Sequence, residues 1–152
     1  MDCVLISASS SAKAFQGLAN KYSAIETPTW ALLLAESCRA KGFNVSIIDA
    51  EAEHLSDEMV VDRLKEINPK LILFVVYGAN PNAGTTGMIG AIRTAKSVKD
   101  NGLSNPICFV GSHVSALPKE VISIETVDFI LLNEGVYALH NLIRELSKNN
   151  PE

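Results

Sequence analysis

The sequence predicts a three-layer α/β sandwich, a five-stranded parallel sheet covered by helices on both faces. Three observations carry this. Short apolar runs alternate with helical patterns along the chain. The runs are apolar throughout instead of alternating with polar residues, as strands buried on both faces must be. Cap and turn residues mark the boundaries between the two kinds of segment. Repeated strand–helix units join a parallel sheet through right-handed crossovers.

The strands are read at Cys3–Ser7, Asn44–Asp49, Leu71–Tyr77, Ile107–Val110 and Asp128–Leu132. Thr27 followed by Pro28 reads as an N-cap with proline at the first helical position. Trp30, Leu33, Leu34 and Cys38 then make one apolar stripe, and Gly42 ends that helix. Ser56 caps the second helix, with Asp57 and Glu58 at its positive end. Val60, Leu64 and Ile67 face inward, and Pro69 stops it. Met88, Ala91, Ile92 and Ala95 mark the third helix, which closes at Gly102. A short fourth runs near Pro118 to Ile122, and Leu139, Leu142, Ile143 and Leu146 mark the fifth. Five strands of this kind most often take the order 2-1-3-4-5, the flavodoxin-like (Rossmann-like) arrangement. Its switch point lies between strands 1 and 3 at their carboxyl ends, and a ligand site is expected there.

Bulk properties narrow the function. A chain of 152 residues, 47% hydrophobic and 20% charged, fits one globular domain. The net charge is -4, and no cluster of Lys and Arg forms a patch, which argues against nucleic acid or an anionic membrane as partner. The longest apolar run, Leu71 to Tyr77, is far shorter than the ~20 residues of a membrane span. The N-terminus opens on a strand and not on a signal peptide. Cys3, Cys38 and Cys108 form no disulfide framework and read as small buried hydrophobes in a reducing cytoplasm. With no Cys-x-x-Cys or Cys/His cluster, neither zinc nor an iron–sulfur cluster is expected in this chain.

Loops at the switch point carry the candidate chemistry. Ala8 to Thr27 is a connection of roughly 20 residues where 2–6 is usual, rich in Ser and Ala. Gly78 to Gly87 reads as a second loop, whose glycines let backbone approach a ligand. Gly111-Ser112-His113 follows strand 4, where small residues leave a slot; a bulky residue at Gly111 is expected to fill it with the fold intact. Asn133-Glu134-Gly135 closes the same slot at the end of strand 5. A dinucleotide requires Gly-x-Gly-x-x-Gly after strand 1, but that turn reads Ser7-Ala8-Ser9-Ser10-Ser11-Ala12. A Walker loop is absent. A phospho-acceptor receiver needs acids where Ser7 and Tyr77 stand. Flavin mononucleotide, using Ser9 to Ser11, stays open, which makes an electron carrier the alternative function. His54 and His140 read as surface or helix residues without a special role.

Several stretches in order resemble the cobalamin-binding domain found at the N-terminus of many radical-SAM enzymes. They are Glu26-Thr27-Pro28-Thr29-Trp30-Ala31-Leu32-Leu33-Leu34-Ala35, Val45-Ser46-Ile47-Ile48-Asp49-Ala50-Glu51 and Ile67-Asn68-Pro69-Lys70-Leu71. Gly111-Ser112-His113 through Leu117-Pro118 and Val127-Asp128-Phe129 through Asn133-Glu134-Gly135 complete the set. Ser112 and Asn133 stand where the family pattern usually has Gly. The Asp-x-His-x-x-Gly segment of the methionine-synthase branch is missing, and no His precedes His54. The resemblance implies a cobalamin-binding module over residues 1–147, with 148–152 starting a linker to a C-terminal radical-SAM domain. That domain, in a methyltransferase, would bring a [4Fe-4S] cluster and S-adenosylmethionine. The resemblance further implies base-off cobalamin without a histidine on cobalt. Ser9, Ser10, Tyr77, Gly78 and Asn80 would lie under the corrin ring, and Gly111, Ser112 and His113 beside the nucleotide tail, with Asn133, Glu134 and Gly135 closing the slot. His113 is open to three roles: tail-pocket residue, plain loop residue, or metal ligand. Tyr77 is equally a ring contact or a core aromatic.

Overall fold

The computed structural model describes residues 1–9, 25–78 and 81–148. Its strands are β1 (Cys3–Ser7), β2 (Val45–Asp49), β3 (Leu71–Val76), β4 (Ile107–Gly111) and β5 (Phe129–Leu131), and its helices α1 (Thr29–Arg39), α2 (Asp57–Ile67), α3 (Pro81–Asp100), α4 (Ser112–Ala116), α5 (Pro118–Ile122) and α6 (Val136–Leu146). The strands form one sheet in the order β2-β1-β3-β4-β5. Every pairing is parallel; Cys3 lies beside Val45 on one side and Leu71 on the other.

Alternate residues of the strands enter two cores. Cys3, Leu5, Leu73, Cys108 and Val110 pack with Leu34, Cys38, Leu139 and Ile143 of α1 and α6. Val4, Ile6, Phe74 and Phe109 pack with Val60, Leu64, Ala91, Ala95 and Val121 under α2, α3 and α5. Phe74 and Phe109 stack with ring centres 5.0 Å apart. Each Val, Leu, Ile or Phe side chain among them contributes about 1.5–3 kcal/mol by leaving water. All three cysteines are buried and free. Burial raises each thiol pKa, that of Cys38 to about 11.

Local signals explain most boundaries. Ser56 caps α2 by accepting the Met59 amide at 3.3 Å, and Asn68 ends it in the left-handed conformation. Gly42 and Gly102 turn the chain at φ +83° and +81°. Five readings need correction. Pro28 takes the N-cap position of α1, and no side chain caps that helix. Leu33 is 56% exposed; the buried stripe is Ala31, Leu34, Ala35 and Cys38. The stretch after Gly78 is not a loop up to Gly87, because α3 begins at Pro81. The residues after β4 form the one-and-a-half-turn helix α4, which the sequence reading left out. Strand β5 is a three-residue edge strand whose Phe129 is 37% exposed, not a strand covered on both faces. Among the described residues no helix is long and apolar enough to cross a membrane.

Candidate functional site

The carboxyl edge of the sheet splits into two regions, one on each face. On the α1/α6 face, Trp30 in the first turn of α1 stacks on Tyr77, just past β3, with ring centres 4.7 Å apart. Tyr77 donates its hydroxyl to the carbonyl of Asn133 at 2.5 Å, so one side chain ties β3, α1 and the β5–α6 turn together. Burial raises the Tyr77 pKa, and the nearby Glu134 carboxylate adds to the effect. Beside this aromatic pair opens a cleft of about 460 Å³ over the ends of β1 and β3. Ser7, Thr27, Thr29, Trp30, Tyr77 and Gly78 line it, and among the described residues Glu26 is its one acidic group. A volume in that range, with a few polar groups in an apolar wall, suits a small organic ligand.

On the α2/α3 face, the first turns of α3 press against the ends of β3 and β4. A methyl group at Gly84 would run into the Ser112 hydroxyl, and one at Gly87 would lie 3.2 Å from Val76 Cγ1. These glycines serve helix-to-strand approach, not ligand approach. Thr85 Oγ1 pairs with His113 Nδ1 at 3.1 Å. Ser115 donates its hydroxyl to the Gly111 carbonyl at 3.0 Å and accepts the Asn133 amide at 2.8 Å, clamping α4 to both strand ends.

The residues singled out in the sequence therefore divide. Tyr77 and Gly78 line the cleft, and Asn133 is held to it through Tyr77. Ser112 and His113 belong to the α3/α4 contact on the other face. Gly111 is buried between them, and it does not open a slot. A side chain there would collide with the Val76 carbonyl oxygen and lie 2.8 Å from its carbon. Glu134 is exposed. Gly135, at φ +68°, caps α6 tightly against Leu131 and Val110, each 3.0 Å from where a Cβ would sit. Asn133 adopts φ +55°, which explains the departure from glycine, since Asn is the side chain best tolerated there. Ser112 opens α4 and has no such need. The Ser9 carbonyl accepts from Arg93 at 3.1 Å. Ser10 and Asn80 lie outside the described residues. Trp30, Thr27 and Thr29 are cleft residues that the site reading missed. A lone Trp in the first turn after a long loop was the available signal, because Trp is seldom fully buried.

His140 also differs from its reading as a residue without a role. It is 5% exposed, and its Nε2 pairs with Ser37 Oγ at 2.9 Å across the α1–α6 contact. Among the described residues no three His, Cys, Asp or Glu side chains gather into a metal site.

The family described as the B12 binding domain matches residues 16–143. The chain belongs to that family. Membership decides between the two occupants the residues left open, in favour of cobalamin over flavin. Among the solved structures that share the fold are two of the radical S-adenosylmethionine methyltransferase TsrM from Kitasatospora setae. The structure described with cobalamin and a [4Fe-4S] cluster bound superposes with a TM-score of 0.73 at 12% identity over 97% of this chain. The one described with tryptophan substrate and the S-adenosylmethionine analogue aza-SAM gives 0.70 at 12% identity over 99%. This B12-binding domain spans 26% of the TsrM chain. No curated protein matches it.

The residues present fit the cofactor. The cleft opens at the switch point, its walls combine hydroxyl, aliphatic and aromatic groups with the Glu26 carboxylate, and the uncharged base of the nucleotide needs no ion to bind there. The glycine at 78 lets the start of α3 close against the end of β3, because a Cβ there would collide with Ala83.

Proposed function

We propose that this B12-binding domain is the cobalamin-holding module of a radical-SAM enzyme, a methyltransferase, and that it binds the cofactor base-off with no histidine on cobalt. Residues 1–147 form the module and 148–152 begin the linker to the domain that supplies the [4Fe-4S] cluster and S-adenosylmethionine. The observation that carries the reading is the hydroxyl-lined cleft between β1 and β3, at the switch point of a chain that belongs to the family. The likeness to a methyltransferase fold supports the rest.

Within the module the residues divide the work. Ser7, Thr27 and Thr29 offer hydroxyls to the polar atoms of the tail, and Trp30 offers a flat wall that excludes water. Tyr77 is held by Asn133, so its ring is fixed as a floor and its hydroxyl is already engaged. Ser9 and Gly78 stand at the strand ends and, with Ser10 and Asn80, are assigned to the ring by the family resemblance; Gly111, Ser112, His113, Glu134 and Gly135 stand at the ends of β4 and β5. Cobalamin supplies a cobalt centre able to carry a methyl group. No histidine is placed to bind that centre from below. The first connection contains none, and His113 stands on the α2/α3 face, its Nδ1 paired with Thr85, and does not line the cleft.

Titration of the chain with hydroxocobalamin tests the reading. Stoichiometric retention with a base-off spectrum is expected; no retention at tens of micromolar by the folded chain refutes it. Electron paramagnetic resonance of bound cob(II)alamin tests the lower ligand. Unsplit cobalt lines are expected, and a nitrogen triplet that vanishes in His113→Ala would make His113 the axial ligand.

A further inference from the structure

We propose that Arg93 is a positioning residue for the cofactor, fixing the chain at Ser9, two residues beyond the cleft-lining Ser7; the proposal rests on the cobalamin reading above. Arg93 lies on α3, on the opposite face of the sheet from the cleft. Its Nε and Nη2 atoms grip the two carboxylate oxygens of Asp57 at 2.5 and 3.2 Å. The same Nη2 donates to the carbonyl of Ser9 at 3.1 Å. Asp57, the first residue of α2, takes a further hydrogen bond from Thr94 Oγ1 at 2.6 Å. The Arg93 and Asp57 side chains are only 35% and 17% exposed. One guanidinium therefore joins α2, α3 and the chain two residues past the end of β1.

The geometry asks for more than helix-to-helix attraction. An ion pair between α2 and α3 needs only a point charge. Arg93 uses the planar fork, which reaches two acceptors in different segments at once and which lysine cannot reproduce. Ser7 is the last β1 residue, its carbonyl taken by the Ala50 amide at 2.9 Å, and it lines the cleft. At Ser9 the ladder has ended, and the guanidinium takes up the carbonyl that the sheet no longer pairs. The Asp57 carboxylate also balances the guanidinium, so the anchor adds no net charge at the end of β1.

The test pairs Arg93→Lys with Thr94→Val. Lysine keeps the charge beside Asp57 and loses the reach to Ser9. Valine removes a hydrogen bond to Asp57 and leaves Ser9 untouched, so it controls for stability. Arg93→Lys should raise the hydroxocobalamin Kd about tenfold, as losing one charge-assisted hydrogen bond would, and should speed amide exchange at the end of β1. Thr94→Val should lower the melting midpoint with the Kd unchanged. The proposal fails if Arg93→Lys binds as the parent chain does. It fails equally if Thr94→Val weakens binding as much, for then the network only holds the fold. If the parent chain retains no cobalamin, the cobalamin reading falls first. Exchange at residues 8–9 then judges the anchor by itself, and unchanged exchange in Arg93→Lys overturns it.

Discussion

At Gly111 a single added carbon has nowhere to go. The backbone of Val76 occupies the place of the missing side chain, and backbone in the middle of a sheet cannot step aside. Gly111→Ala should cost about 3 kcal/mol in a urea titration, and Gly111→Leu should fail to fold instead of binding poorly. Tyr77→Phe asks a gentler question. It removes the hydroxyl given to Asn133 and keeps the stack on Trp30. The loss expected is about 1 kcal/mol, whereas Trp30→Ala, which opens the cleft wall, should weaken hydroxocobalamin binding more than it lowers the melting midpoint.

Between elements, the α1–α6 contact is sensitive to acid. Burial holds the His140 pKa below its usual 6.5; Lys41 and then Arg144 act in the same direction, and the Ser37 hydrogen bond opposes them. The unfolded chain therefore takes up the proton at a higher pH than the folded one. The stability His140 provides is complete above pH 6.5 and is lost as pH falls through the lower folded value. His140→Gln should flatten the dependence of the urea midpoint on pH in that window and change it little above. The same scale shows what the sequence could and could not reveal. The strand runs, the Ser56 cap and the turns at Gly42 and Gly102 are local signals, and they stand within a residue or two of the observed ends. The first turns of α3 were illegible because Gly84 and Gly87 look like helix breakers. Their use is to let a helix approach Val76 and Ser112, contacts with residues close in sequence only in the first case. The cleft was legible as a place, from strand order, but not as a set of side chains. Trp30 and Leu33 fit one apolar stripe on paper, and only packing against β3 shows that Trp30 turns to Tyr77 and Leu33 to solvent.

For the whole molecule, the two faces of one sheet carry separate tasks. The α1/α6 face bears the cleft, and the α2/α3 face bears the clamps that hold the strand ends. Cys3, Cys38 and Cys108 are all buried in the core beneath α1 and α6. None of them is available to a cluster, so the chain alone should show no reductive cleavage of S-adenosylmethionine, as measured by release of 5′-deoxyadenosine.

The register that seats Cys3 between Val45 and Leu71 also bears on time. Both neighbours of β1 lie far along the chain, and β1 can lock between them only after β2 and β3 have been brought to it. Closing such distant loops costs entropy before any contact repays it. The β3–α3–β4 unit, by contrast, closes over a shorter span. A folding nucleus in that unit, with β1 docking late, follows from the connectivity. In a stopped-flow experiment Val4→Ala should then leave the refolding rate nearly unchanged and accelerate unfolding, while Phe109→Leu slows refolding.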